Sequence, residues 1–203
     1  MIEVILLSGG VESSTLLAQQ RDINTVIPLF IDYGQRAAAR ELLSAKVQSN
    51  SAKTQLVVLD LSKLGREFRT RQTRKLHVPL PHRNLVLLSV AFSFATQVHA
   101  QRLSLALNKE DTNEYPGATT QFVNHFRALA GGLEDLDIAT PLIALTKTEI
   151  ARLGKNLGID FTHTYSCLLG YAQHCGSCPQ CQKRRVAMQR AGIQEPPGFY
   201  RQT

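Results

Sequence analysis

Short apolar runs alternate along the chain with longer stretches in which apolar residues recur at helical spacing. IEVILL at 2–7 is followed by Ser8-Gly9-Gly10 and a helix pattern from about Glu12; TVIPLFI at 25–31 precedes a helix from about Arg36. QLVVLDL at 55–61 and RLSLAL at 102–107 are further strand-like runs, with a largely apolar, buried helix expected at 84–99 between them. Strands and helices alternating in this way predict an α/β fold, a parallel sheet with helices on both faces. Ligands of such sheets gather beyond the carboxyl ends of the strands. The stretch 62–76, SKLGREFRTRQTRKL, breaks the rhythm with six basic residues against one acid. It reads as a solvated loop or, more sharply, as a contact for phosphate or nucleic acid. No internal repeat or low-complexity segment is visible.

With 43% hydrophobic and 19% charged residues in 203, the chain has the composition of an ordinary globular protein and not of a disordered or collagenous one. Its formal charge of +7 favours anionic ligands such as ATP or RNA and says nothing about fold. The longest nearly apolar run, 85–95, is too short to cross a bilayer, so no membrane is expected as a partner. No basic n-region or cleavage site precedes the first strand. An export signal is therefore not expected, and a cytoplasmic location is.

Composition adds one sharper feature. All four cysteines, Cys167, Cys175, Cys178 and Cys181, fall in the spacing C-x7-C-x2-C-x2-C. Four thiolates so spaced can close a tetrahedron around zinc, which leaves no open position for water and makes the site structural. An iron–sulfur cluster and reactive or bridging thiols are the alternatives. His174, beside Cys175, is a substitute ligand or an ordinary surface histidine.

Two segments suit an anion. Ser8, Gly9, Gly10, Val11, Glu12, Ser13 and Ser14 run from the first strand into the first helix. Glycines let backbone approach an anion, and unpaired N–H groups at a helix start point towards it. The same residues also suit a plain glycine turn. Neither the Walker pattern nor G-x-G-x-x-G is present. Thr146 and Glu149 form a capping box before a helix that runs through Leu157. Lys147 then lies in the first turn, where the helix dipole disfavours a cation; it suits an anionic ligand or an exposed, snorkelling role. Asp32, Tyr33 and Gln35 follow the second strand, and Asn108 and Asp111 follow the fourth. Arg83 and Asn84 open the apolar helix, with Asn84 as the expected N-cap.

SGGVESS resembles the SGGxDS signature of the PP-loop ATP pyrophosphatases, of the adenine nucleotide alpha hydrolase-like fold. DYGQR at 32–36, PHRN at 81–84, NKEDTNEYP at 108–116, PLIALTKTEIARLG at 141–154 and the YSC…CGSCPQC ending are similar to the 7-cyano-7-deazaguanine synthase family of the queuosine pathway. The resemblance implies a nucleotide-binding α/β domain over 1–160 with a zinc-binding segment, 161–203, packed on it. It implies an AMP-forming ligase that converts 7-carboxy-7-deazaguanine, ammonia and ATP to the nitrile through an adenylated carboxylate and an amide. Structural Zn2+ and Mg2+ with ATP would be the cofactors, and a homodimer is expected.

By the same resemblance Ser8, Gly9, Gly10, Val11, Glu12, Ser13 and Ser14, with Asp32 and Tyr33, would bind ATP. Gln35, Arg83, Asn84, Asn108, Asp111 and Tyr165 would bind substrate. Lys147, Ser13, Glu12 and Arg83 would serve catalysis, and the four cysteines would hold zinc. Three positions depart from the family. Glu12 stands for aspartate, His82 for the glycine of PGRN, and 117–119 reads Gly-Ala-Thr where the family has Asp-Cys-Arg. The last departure supports an alternative, a ligase of the same type with a different carboxylate or amine; a non-catalytic nucleotide-binding relative is another. A tRNA thiolase is disfavoured because all four cysteines are committed to metal, so nucleic acid is not an expected partner.

Overall fold

The computed structural model describes residues 1–69 and 79–201. Five strands, β1 (Ile2–Leu6), β2 (Thr25–Asp32), β3 (Val57–Asp60), β4 (Arg102–Ser104) and β5 (Asp137–Ala139), form one parallel sheet in the order β3-β2-β1-β4-β5. Side chains alternate across the strands and build a core on each face. Val4, Leu29 and Ile31 pack on one side with α4 (Arg83–Gln97) and α6 (Thr120–Gly131). Ile5 and Phe30 pack on the other with α1 (Val11–Gln20), α2 (Ala38–Ser51), α7 (Lys147–Asn156) and α8 (Pro179–Arg190). The doubly covered parallel sheet expected from the apolar rhythm is therefore present. β5, only three residues long, carries too little pattern to be read from sequence.

The chain winds from β1 through β2 to β3, then returns to the opposite side of β1 for β4 and β5. The order reverses between β1 and β4, and a crevice opens outside the carboxyl ends of strands at such a point. The Ser8–Gly10 loop follows β1 there, and α5 (Lys109–Glu114) follows β4.

Two expectations about helices need correction. Residues 62–69 are not a solvated loop but α3 (Ser62–Arg69), docked on the loop after β2; 70–76 of the basic stretch lie outside the described residues. Gly65 permits the docking, since a Cβ there would sit 1.9 Å from the Tyr33 carbonyl oxygen. The Arg69 guanidinium donates to the Gly34 carbonyl from the same helix. Helix α4 is less buried than its composition suggests: only Leu88, Ala91 and Ala95 are fully withdrawn, and Leu85 is 45% exposed. One helix face meets the sheet, Leu87, Val90, Phe92 and Phe94 pack on the core only in part, and among the described residues Leu85 stays largely uncovered.

The N-cap of helix α4 lies two residues earlier than expected, at His82 rather than Asn84. His82 adopts φ 49°, ψ 39°, a left-handed conformation that penalises any residue with a Cβ. The glycine of the resembling family is explained by that backbone. We expect His82→Gly to stabilise the fold by about 0.5–1 kcal/mol, the relief of strain less the added freedom of the unfolded chain. Thermal melting should show a rise of a few degrees at most, and a fall in Tm would count against the strain.

Candidate active site

The loop between β1 and α1 is shaped by Gly9, whose φ is +74°. A Cβ there would meet Ala45 N at 2.6 Å and Ser44 Cβ at 2.7 Å, so only glycine fits. Ser44 Oγ, 2.7 Å away, and the Tyr165 N–H, at 2.9 Å, hold the Gly9 carbonyl from two other parts of the chain. Ser8 Oγ accepts from the Gly10 N–H at 3.3 Å and lies 3.1 Å from Ser13 Oγ. Gly10 is the N-cap of α1 and supplies no side-chain cap, so the first-turn N–H groups are available to an anion. Val11 is fully buried and offers the cleft only backbone. Ser14 is also buried; its hydroxyl has no partner among the described residues and lines a separate cavity with Leu17, Val47 and Gln48.

Facing this loop, Lys147 is buried and not snorkelling. Its Nζ forms an ion pair with Glu12 Oε1, which also accepts from Asn108 Nδ2 at 3.2 Å. Burial pushes the Glu12 carboxyl up, but the Lys147 charge and these hydrogen bonds prevail and hold it below the usual range. Asp111 lies nearby, and burial followed by repulsion from Glu12 raises its carboxyl. Both capping boxes here are complete. Asn108 with Asp111 caps α5, and Thr146 with Glu149 caps α7 as the sequence spacing predicted. The Lys147 backbone N–H donates to both carboxylate oxygens of Glu110 at 3.1 and 3.2 Å, which ties α7 to α5.

The loop after β2 forms a second wall. Asp32 Oδ1 accepts from the Gly34 N–H at 2.8 Å, and Gln35 Oε1 accepts from the Tyr33 N–H at 2.9 Å. Gln35 Nε2 in turn donates to Glu41 Oε2 at 2.9 Å. Arg83 reaches across from α4 and donates to the Tyr33 hydroxyl at 3.2 Å. Burial raises the Tyr33 phenol despite that cation. Asn84 does not cap its helix; its Nδ2 donates to the Gly117 carbonyl at 2.8 Å. The altered segment thus borders the Arg83 wall.

The C-terminal segment reaches the Ser8–Gly10 loop through Tyr165. The Tyr165 hydroxyl donates to the Tyr171 carbonyl at 2.8 Å, and its ring packs on His174 with centroids 4.8 Å apart. The four cysteine sulfurs are buried and lie within 4.8 Å of one another, Cys175 and Cys181 at 3.9 Å. Thiolates about 2.3 Å from a single central ion have that spacing, so the residues fit a four-coordinate metal. Burial would lift the Cys175 thiol, yet the Cys178 N–H at 3.2 Å and the Ser177 hydroxyl bring it down to about 6.

His174 is neither a ligand nor a surface residue. It is 4% exposed, stacks on Phe199 at 4.4 Å and accepts the Ser166 N–H on Nε2 at 3.0 Å. Burial, then the nearby Arg184 charge, lowers its imidazole to about 3, so it is neutral at physiological pH.

Three residues of consequence carried no sequence signal. Ser44 and Glu41 lie in an otherwise ordinary helical pattern, and Arg184 looks like one more basic residue of α8. Arg184 is fully buried, donates to Glu195 at 2.6 Å and to the Thr164 and Phe161 carbonyls at 3.1 and 2.7 Å, and sits over the Phe199 ring. Nothing local distinguishes it, because its partners lie on other segments of the chain.

Comparison with known proteins gives the family and the fold. The family model described as queuosine biosynthesis protein QueC matches residues 2–192. The chain is 35% identical to "7-cyano-7-deazaguanine synthase 1" of Sulfurisphaera tokodaii, over 98% of each. It is 32% identical to the 7-cyano-7-deazaguanine synthase of Methanothermobacter thermautotrophicus, over 98% of this chain and 99% of that one. Among solved structures, an NMN synthetase from Francisella tularensis superposes with TM-score 0.58 at 17% identity, covering 97% of this chain and 79% of the other. The U34-tRNA thiolase NcsA from Methanococcus maripaludis, with its [4Fe-4S] cluster, gives TM-score 0.57 at 12% identity over 92% and 64%. These two likenesses concern the fold alone. Among the described residues, no helix is long and apolar enough to cross a membrane.

Proposed function

The chain belongs to the family of the queuosine biosynthesis protein QueC, whose members are ATP-dependent carbon–nitrogen ligases, and from that premise we propose that it converts 7-carboxy-7-deazaguanine, ammonia and ATP to 7-cyano-7-deazaguanine. The observation that carries the reading is the pairing of an uncapped, glycine-shaped loop with a buried lysine at the point where strand order reverses. Among the described residues no side chain in the cleft is given the role of covalent nucleophile, and catalysis rests on positioning and electrostatics.

A carboxylate is a poor electrophile until one oxygen becomes a leaving group. In the first half-reaction a substrate carboxylate oxygen attacks the α-phosphorus of ATP, the bond to the β-phosphate oxygen breaks, and pyrophosphate leaves. Ammonia then adds to the acyl carbon, AMP departs and a proton is lost, which yields the amide. A second ATP adenylates the amide oxygen. Loss of AMP and the remaining amide protons leaves the nitrile. The α1 N–H groups and Ser8 and Ser13 would hold phosphate oxygens, and Lys147 would offset charge on the departing pyrophosphate. Glu12, to which Asn108 donates, holds that lysine in place. Mg2+ would arrive with ATP and neutralise phosphate charge. Asp32 and Tyr33 would border the nucleotide, and Gln35, Arg83, Asn84, Asp111 and Tyr165 the substrate. We assign zinc to the four cysteines, because sulfurs gathered within 4.8 Å suit one ion better than a bulkier four-iron cluster.

One observation favours a second reading, a ligase of the same type with a different carboxylate or amine. Gly117 has no side chain, Ala118 is buried, and Thr119 caps α6 by accepting the Phe122 N–H at 3.1 Å. The segment therefore presents no charged group to a ligand. Mass spectrometry of the metal-loaded protein with 7-carboxy-7-deazaguanine, MgATP and ammonium decides between the two. Nitrile with two AMP per product is the expected result. AMP with an arrested amide or no nitrile supports the second reading, and the absence of AMP overturns both for this substrate.

A further inference from the structure

Buried carboxylates are costly unless donors meet them, and this protein satisfies most of its own. Glu3 accepts from Ser104 Oγ at 2.5 Å and Asn24 Nδ2 at 2.6 Å. Glu12 is met by Lys147 and Asn108, and Glu195 by Arg184 and Tyr200. Glu41 differs. Its Oε2 accepts one hydrogen bond, from Gln35, and its Oε1 has no partner among the described residues. The carboxylate stands in the first turn of α2, in the field of Arg83 and Asp32; burial raises it above the usual carboxylate range. Arg83 spends NH1 on Tyr33, and its other N–H groups have no partner among the described residues.

Through Gln35 and Tyr33 the carboxylate and the guanidinium both border the loop after β2, which sets an open acceptor and open donors on one wall of the cleft. The Watson–Crick edge of a guanine-type base is the complement: a carbonyl oxygen, then a ring N–H, then an exocyclic amine. The 117–119 turn contributes no charged group, so the acid that reads such a base must come from another wall. Resting on the deazaguanine reading above, we infer that Glu41 Oε1 accepts the ring N–H and amino group of the base while Arg83 donates to its carbonyl. Glu41 is thus a specificity residue, one that Gln35 orients.

Calorimetry tests this with 7-carboxy-7-deazaguanine, its analogue lacking the 2-amino group, and a non-hydrolysable ATP analogue. The wild type should bind the amino base about 10- to 100-fold more tightly than the analogue, as befits a hydrogen bond to a charged group. Glu41→Gln should bind both bases within about threefold while keeping its affinity for the ATP analogue. Discrimination unchanged in Glu41→Gln overturns the inference, and so does a loss confined to the ATP analogue, which would assign Glu41 to adenine. A wild type that binds the ATP analogue and neither base overturns the deazaguanine reading itself, and the inference with it. Should Glu41→Gln fail to fold, Glu41→Asp, which withdraws the charge by one methylene, must lose the same discrimination.

Discussion

Lys147→Met is expected to lower kcat/KM for AMP formation by about 100- to 1,000-fold, the usual cost of removing one group aimed at charge that develops in a transition state. The expectation follows from where the lysine is held. It sits in the first turn of α7 against the helix dipole, buried, with Glu12 as its ion-pair partner. Removing it also strands the Glu12 carboxylate. Breaking a buried pair from one side is strongly destabilising, here on the order of 3 kcal/mol, because the remaining charge lies uncompensated. Lost activity alone is therefore ambiguous. The double variant Glu12→Gln/Lys147→Met resolves it, since it removes both charges and should recover most of the stability while activity stays low. If the double variant regained activity together with stability, Lys147 would be a structural residue.

The same pair predicts a pH signature. The folded Glu12 carboxyl lies below its unfolded value, so its contribution is present above the unfolded pKa and lost as pH falls through the folded one. Lys147→Met should flatten that acid limb of a stability–pH profile.

Removing the metal, or replacing Cys181 by serine, is expected to cost more than any other single change. A structural zinc site contributes about 10–16 kcal/mol of apparent binding free energy at neutral pH, and that energy is folding energy for the segment it holds. Cys181 is fully buried in the first turn of α8, 3.9 Å from the Cys175 sulfur. Loss of the centre should release residues 164–166, and with them the Tyr165 N–H that holds the Gly9 carbonyl. Chelation should thus weaken binding of the ATP analogue as well as lower Tm, through the Tyr165 link to Gly9. Elemental analysis should find one zinc per chain, absent in Cys181→Ser. Iron with a visible charge-transfer band would replace zinc by a cluster, and full metal content with unchanged Tm in the variant would remove Cys181 from the site.

Much of this was legible along the chain because it is local. The glycines after β1, the T-K-T-E box and the C-x2-C-x2-C spacing each bring their chemistry together within a few residues. The strands likewise appear as apolar runs, because a strand in a doubly covered sheet meets helices on both faces. Where a reading failed, a distant contact was responsible. His174 became buried because Tyr165 and Phe199 enclose it, residues 62–69 docked because Gly65 clears the Tyr33 carbonyl, and α4 is half-covered because only one of its faces meets the sheet.

The sequence by itself determined the class of fold, the place of the glycine turn at the head of α1 and the four cysteines that gather into one candidate metal centre. It also placed Lys147 at a helix start where a cation is out of keeping. Only the tertiary structure decided what that lysine faces, since Glu12 lies 135 residues away. Tertiary structure likewise decided which carboxylates are satisfied and which, like Glu41, are left with an open acceptor. Periodicity shows which side of an element turns inward, but a partner on another element is chosen only when the sheet order and helix packing bring the two side chains together.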